Sequence, residues 1–215
     1  MDKQSREDTT STETSKPTRR RYRDGDDEHG PWAEEIFTAD ESHKCPTYVH
    51  RTPPCQGSCP SGEDVRGWLS IARGIEKPGD PETPWQEYAF RRMTDANPFP
   101  SIMGRVCPAP CEDGCNRNAV EEFVGINSIE HYVGDYAIDE ALAFESTAVD
   151  TGKRVAIIGG GPAGLATAYH LRRRGHGATI FDDHEDLGGL MRYGIPGYLT
   201  PRDVLSKEIQ RITDM

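Results

Sequence analysis

The sequence contains no apolar run approaching the roughly 18–20 residues that a membrane-spanning helix needs, so no part of it is expected to cross a bilayer. It has no excess of positive charge. Lys plus Arg number 25 against 36 Asp plus Glu, a net charge of −11 that repels nucleic acid and anionic lipid. The N-terminus lacks the apolar stretch of a signal peptide and carries too many acids for a transit peptide, so export is not expected and a cytoplasmic location follows. Apolar residues are scarce, at 34%, and the mean hydropathy is −0.73, which is polar for a globular chain of 215 residues. No internal repeat is evident. No Ser-His-Asp or paired-carboxylate arrangement has a claim to hydrolysis. What the chain does have is six cysteines. Three disulfides would need an oxidising compartment, so metal or cluster ligation fits better.

Three segments differ in character. Residues 1–30 are polar and charged and read as a disordered tail, in which the basic knot Arg19, Arg20, Arg21 and Arg23 is neutralised by Asp24, Asp26, Asp27 and Glu28. Residues 31–148 hold all six cysteines and read as short helices joined by Pro-rich loops, with no strand signal. One helix is expected from Ser61, with Asp64 as capping-box partner, to a stop at Gly74. A second starts at Thr83 with Pro84 at the first helical position and ends before Asn97. A third runs from Asn127 to Phe144 with an apolar stripe at Ile129, Tyr132, Val133 and Tyr136. This segment has little apolar material for a core, and bound metal is expected to hold it together. Residues 153–215 change to a buried-strand run over 154–158, a glycine loop, a helix ending at Gly175, a second strand over 178–181, and a last helix opening on a capping box at Thr200-Pro-Arg-Asp203. No Gly or Pro stop precedes Met215, so the chain is expected to be truncated, with activity belonging to the full-length protein.

The loop matches G-x-G-x-x-G at Gly159, Gly161 and Gly164, with Pro162 and Ala163 between the last two. The first glycine permits the tight turn, the second lets backbone approach a pyrophosphate, and the third lets helix pack on strand. The phosphates then face the free N–H groups and the positive dipole end of the helix. Asp182, 23 residues after Gly159, ends the second strand, where an acid accepts from ribose hydroxyls. A second Gly-rich stretch, Asp186-Leu-Gly-Gly-Leu-Met-Arg-Tyr-Gly-Ile-Pro196, resembles the flavin-contacting loop of two-dinucleotide flavoproteins. FAD is favoured over NAD on that likeness, with Gly189, Leu190 and Arg192 as expected contacts. A plain surface loop is the alternative.

Cys55 and Cys59 are four apart, as are Cys107, Cys111 and Cys115, and Cys59-Pro60 and Cys107-Pro108 are Cys-Pro pairs of the kind that close ferredoxin runs. Zinc or disulfides are the alternatives. Over residues 45–215 the chain resembles the N-terminal part of the glutamate synthase small-subunit family, whose relatives include dihydropyrimidine dehydrogenase and the transhydrogenase-type bifurcating flavoproteins. The likeness rests on Pro54-Cys-Gln-Gly-Ser-Cys-Pro60, Gly104-Arg-Val-Cys-Pro-Ala-Pro-Cys-Glu-Asp-Gly-Cys115, Ile126-Asn-Ser-Ile-Glu130 and Gly189-Leu-Met-Arg-Tyr-Gly-Ile-Pro196. Within the family, Trp32-Ala-Glu-Glu-Ile36, His43-Lys-Cys-Pro-Thr-Tyr-Val-His50 and Arg73-Gly-Ile-Glu-Lys-Pro78 are most similar to the branch that partners dissimilatory sulfite reductase.

The resemblance implies a small all-α iron–sulfur domain followed by the start of an α/β Rossmann-type FAD-binding domain. It implies two 4Fe–4S clusters. Cys59, Cys107 and Cys111 would hold one, with Glu130 in the position of the family's oxygen ligand, and Cys55 and Cys115 would belong to the other. The family's two further cysteines before Cys55 are not matched here, and Cys45 and His50 are the expected replacements. A loop histidine and a helix cap are the plainer alternatives for His50 and Glu130. The implied function is an electron-transfer oxidoreductase. FAD would stand between NAD(P)H, which carries two electrons, and clusters that take one each. The partner would be a sulfite reductase, with electrons flowing towards NAD⁺, or a glutamate synthase large subunit. A non-enzymatic, cysteine-rich interaction module is the third possibility.

Overall fold

Proline and the left-handed residue set the helix ends in this fold. The computed structural model describes residues 52–120, 122–144 and 149–215. The expected tail over 1–30, Cys45 and His50 lie outside the described residues. In chain order there are helices α1 (Pro54–Ser58), α2 (Val65–Ala72), α3 (Trp85–Met93), α4 (Pro100–Val106) and α5 (Pro110–Asp113), then a 3₁₀ turn at Asn116–Ala119 and helix α6 (Ile126–Asp139). Strand β1 (Arg154–Ile158), helix α7 (Pro162–Arg173), strand β2 (Gly177–Phe181) and helices α8 (Leu190–Tyr193) and α9 (Arg202–Thr213) follow. Proline occupies the first position of α1, α4, α5 and α7, where its missing N–H would have had no helical partner.

Helices α2, α6 and α7 end alike. At each, the residue after the cap is left-handed and the next N–H reaches back five residues, as Ile75 to Ser70, Leu142 to Ala137 and His176 to Leu171. Gly74 and Gly175 supply the left-handed residue at two of these ends, but at α6 it is Ala141, with φ +50°. The third helix therefore stops at Asp139 rather than running to Phe144, since an alanine stop carries no sequence signal. The helix expected from Ser61, α2, starts later than expected. Asp64 is the cap itself, its Oδ1 accepting from Gly67 N at 3.1 Å, and Ser61 lies outside. Pro84 likewise sits just before α3, not in its first position. Thr200 does not cap α9, because its hydroxyl donates to Met191 O at 3.2 Å instead.

Helices α4 and α6 approach without side chains between them. A Cβ on Gly134 would overlap Ser101 N and Cα, and one on Gly104 would overlap the His131 backbone. This contact turns α6 so that Ile126, Glu130, Val133, Gly134 and Ala137 face inward, while Tyr132 points out at 51% exposure. The expected stripe of large residues is therefore rotated, since bulk marks the buried face only where no close backbone contact intervenes. Arg105 on α4 locks the pair with two bonds to Asp135 on α6, at 2.7 and 2.8 Å.

Two apolar cores result. Val65, Trp68 and Ile71 of α2 pack with Ala89, Phe90 and Met93 of α3 and Ile126, Val133 and Ala137 of α6. Each fully buried large side chain of this core contributes about 1.5–3 kcal/mol of burial free energy. The second core joins Phe99 and Ile102, at and in α4, to Leu165, Ala168 and Tyr169 of α7 and Leu205, Ile209 and Ile212 of α9. Phe144 packs against both. Strands β1 and β2 pair in parallel, with Arg154 opposite Gly177 and Ile158 opposite Phe181. The expected buried-strand run is mostly exposed, with only Ile157 buried in β1, because among the described residues the sheet has two strands. None of the described helices is long and apolar enough to cross a membrane.

Candidate functional site

The cysteines sit at helix ends. Cys59 caps the C-terminus of α1 and Cys107 that of α4, while Cys115 precedes the 3₁₀ turn. Ala109, in the left-handed region at φ +51°, reverses the chain between Cys107 and Cys111, so the segment is a loop closed by the single helical turn of α5. Helix α1 packs on α5, and Gly114 leaves room for the Ser58 hydroxyl. That packing sorts the five described thiols, all free and half-buried, into two sets.

In the first set, burial raises the Cys111 thiol to about 12, with Cys107, Glu112 and Cys59 adding to the effect. Burial also raises Cys107, aided by Glu130, Cys59 and Glu63 and opposed by the Ala109 N–H. In the second set, burial and then the neighbouring Cys115 raise Cys55, against bonds from backbone N–H groups. Cys45 and His50, the other two expected ligands, lie outside the described residues.

Glu130 is 7% exposed on α6, and burial, followed by the carboxyl of Glu63, lifts it to about 9. Asn97 donates to its Oε1 at 2.7 Å. Glu63 was not singled out from sequence. It is 5% exposed and raised to about 7, first by burial, with Asn97 and Trp68 as polar neighbours that oppose the rise. Because Asp64 is the cap of α2, Glu63 occupies the preceding position and faces Trp68, four residues into the helix, where an apolar staple residue commonly packs. Only the true start of α2 could have drawn attention to it.

In the first set Cys107 and Cys111 are raised by acidic and thiol neighbours as well as by burial, an arrangement that a bound cation relieves by taking the ionised forms as ligands. Among the described residues, the one group of three His, Cys, Asp or Glu ligand atoms within 4.8 Å of one another is Asp182, Asp183 and His184, on the exposed side of the glycine loop. The thiols are thus spread more widely than the roughly 3.8 Å edges of a single tetrahedral zinc–thiolate site. A polynuclear iron–sulfur cluster suits that donor set.

The glycine loop lies between β1 and α7. Gly159 has φ +100°, and a Cβ on Gly164 would overlap Gly159 O. Gly161 caps α7 without any side-chain acceptor, and Pro162 and Ala163 open its first turn, leaving that helix end to an anionic ligand. Asp182 accepts from Gly160 N through Oδ2 and from His184 N through Oδ1 at 2.8 Å, so it fixes the loop. The second Gly-rich stretch is tied to the first by Gly188 N to Gly160 O at 2.8 Å, and Gly189 abuts Gly161. Leu190 follows, 68% exposed. Arg192 faces elsewhere, donating to Leu187 O at 2.7 Å and to Ser206 on α9 at 3.0 Å.

Comparison with known proteins agrees with this arrangement. Residues 26–142, over half of the chain, match the family profile described as dihydropyrimidine dehydrogenase domain II, 4Fe-4S cluster. Residues 157–199 match the NAD(P)-binding Rossmann-like domain. The chain is 39% identical over 166 residues to Glutamate synthase [NADH] of Schizosaccharomyces pombe, covering 76% of this chain and 7% of that one. It is 36% identical over 183 residues to the NADP(+)-dependent formate dehydrogenase subunit beta of Moorella thermoacetica, covering 75% and 25%. It is 36% identical over 169 residues to the Glutamate synthase [NADPH] small chain of Escherichia coli, covering 76% and 33%. The chain therefore spans a third or less of the curated relatives it matches. With a helical cysteine-rich segment of the first profile leading into a glycine-loop βαβ unit of the second, the chain belongs to the dihydropyrimidine dehydrogenase domain II family of 4Fe–4S proteins and is similar to glutamate synthase small chains.

Proposed function

We propose that this chain forms the iron–sulfur and flavin part of an electron-transfer oxidoreductase that connects NAD(P)H to a partner redox enzyme through FAD and two 4Fe–4S clusters. The observation that carries the proposal is the sorting of the thiols into Cys59, Cys107 and Cys111 beside Glu130, and Cys55 beside Cys115. The first group holds one cluster with Glu130 as oxygen ligand. The second holds the other together with Cys45 and His50. When bound, FAD exchanges electrons singly or in pairs, which suits a link between a hydride donor and one-electron clusters.

The chain's own residues bind and orient. Gly159, Gly161 and Gly164 bring backbone to the pyrophosphate, the first turn of α7 supplies its N–H groups, and Asp182 holds the loop while facing the ribose. Gly189 and Leu190 line the approach to the flavin. The partner is a multi-subunit redox enzyme, and its location is the cytoplasm, where thiols stay reduced. Its identity divides into two readings. The motifs around Trp32, His43 and Arg73 favour a dissimilatory sulfite reductase. The relatives named glutamate synthase favour a glutamine-dependent large subunit.

The test is anaerobic purification of the full-length protein, with iron, acid-labile sulfide, zinc and flavin measured per chain. A brown protein with about eight irons, eight sulfides and one FAD is the expected result. A colourless, zinc-loaded protein overturns the electron-transfer assignment and leaves an interaction module. About four irons removes one of the two ligand sets. Co-purification of a sirohaem enzyme or of a glutamine amidotransferase separates the two partner readings.

A further inference from the structure

Asn97 lies between the two buried carboxyls beside the first thiol set, just ahead of α4. Its Oδ1 accepts the N–H of Phe99 at 2.9 Å, an Asx turn that fixes which end of the amide faces which way. The nitrogen end therefore faces Glu130, where it donates to Oε1 at 2.7 Å, with Glu63 as a further neighbour. Asn97 is 5% exposed, so little water is present to replace it.

Resting on the assignment of Glu130 as a cluster ligand, we propose that Asn97 is a positioning residue that holds Glu130 Oε1 and leaves Oε2 free for iron. A carboxylate that binds a metal through one oxygen needs a donor for the other, and in a buried site that donor must come from the protein. The amide suits the task on two counts. It donates but does not ionise, and its orientation is locked by its own backbone turn. The same device links the two helices of the closest contact, because Asn97 enters α4 while Glu130 rides on α6.

The experiment uses the full-length protein, purified anaerobically, with the variants Asn97→Asp, Asn97→Ala, Glu130→Ala and Glu63→Gln. After ferricyanide oxidation, the rate of first iron release to a ferrous chelator is measured, together with the electron paramagnetic resonance signal of a three-iron cluster. Glu130→Ala is expected to give the three-iron signal. Both Asn97 variants are expected to release that iron roughly tenfold faster than the parent, the factor carried by a hydrogen bond to a charged group, and to show the same signal. Glu63→Gln should behave as the parent does. Parent-like release in both Asn97 variants, with a positive Glu130→Ala result, overturns the role of Asn97 alone. No change in Glu130→Ala overturns the ligand assignment, and this inference with it. Loss of all iron together with helical circular dichroism in both Asn97 variants also overturns it, since Asn97 would then be serving the fold and not the ligand.

Discussion

Glu208 caps helix α4 from 107 residues further along the chain, its Oε1 accepting the N–H of Ser101 at 2.8 Å. Its Oε2 accepts the next N–H, of Ile102, at 3.1 Å, so the first turn of α4 is satisfied by a carboxylate on α9. Glu208 is fully buried and lies beside Arg211, whose guanidinium stacks over Phe90 at 4.9 Å. Chain that follows the glycine loop is thereby hydrogen-bonded to the helix that ends at Cys107.

A pH dependence follows from that burial. Glu208 is raised from the usual 4.5 to about 7, by burial above all. The folded chain keeps this proton where the unfolded chain has lost it, so the contribution to stability is complete below about pH 4.5 and declines as pH rises through 7. Glu208→Gln cannot ionise. Denaturant unfolding of parent and variant should therefore diverge in the variant's favour by up to about 3 kcal/mol between pH 4.5 and 8. A difference that stays constant with pH would show that Glu208 does not titrate there.

The close contact of α4 and α6 predicts a sharp contrast between glycines. Gly134→Ala places a methyl into the Ser101 backbone, which cannot yield as a flexible side chain would. It should lower stability by about 3 kcal/mol or more. Gly79, with nothing within 4 Å of an added Cβ, should accept alanine within about 0.5 kcal/mol. Thermal unfolding of both variants measures this. Equal melting temperatures would mean that the helices can separate without penalty.

Serine substitutions should fall into two classes. Cys55→Ser and Cys115→Ser are expected to remove one and the same spectroscopic component, and Cys59→Ser, Cys107→Ser and Cys111→Ser the other. Each change should lower iron by about half, the share of one cluster in two. If Cys115→Ser instead resembled Cys111→Ser, the grouping set by the packing of α1 on α5 would be wrong.

At the glycine loop, Gly164→Ala overlaps Gly159 O and should abolish tight dinucleotide binding, by about a hundredfold or more. Asp182→Asn presents an amide in place of the oxygen that accepts from Gly160 N, and a loss of about tenfold is expected. Flavin content after purification and equilibrium dialysis with FAD report both. Retention of full flavin in Gly164→Ala would remove this loop from the cofactor site.

What could be read from the sequence was local. The run from β1 through Gly159 into α7 is contiguous, and its stop at Gly175 announces itself, as does Gly74 after α2. What could not be read depends on contacts distant in sequence. Gly134 reorients α6 because Ser101 happens to face it, and nothing near Tyr132 tells that side chain to point outward. Ala141 takes a conformation that sequence rules assign to glycine. Glu63 turns inward because the cap is Asp64. The carboxyl of Glu208, in an otherwise amphipathic helix, has no neighbour in sequence to reveal the backbone it serves. At the candidate site, cysteine spacing alone shows only which residues share a loop; the family resemblance grouped Cys55 with Cys115, and the packing of α1 on α5 is what makes them neighbours.

Helix α4 has no face left over for independent motion. Its glycine side is pressed on α6, Ile102 lies in the core shared with α7 and α9, and its first turn is held by Glu208. A rigid shaft keyed at both ends transmits displacement instead of absorbing it. Cys107, at the end of that shaft, therefore keeps a fixed span to the glycine loop. Were a cluster at Cys107 and a flavin at that loop bound as proposed, electron tunnelling would meet a constant gap, its rate decided by potentials and not by the breathing of a joint.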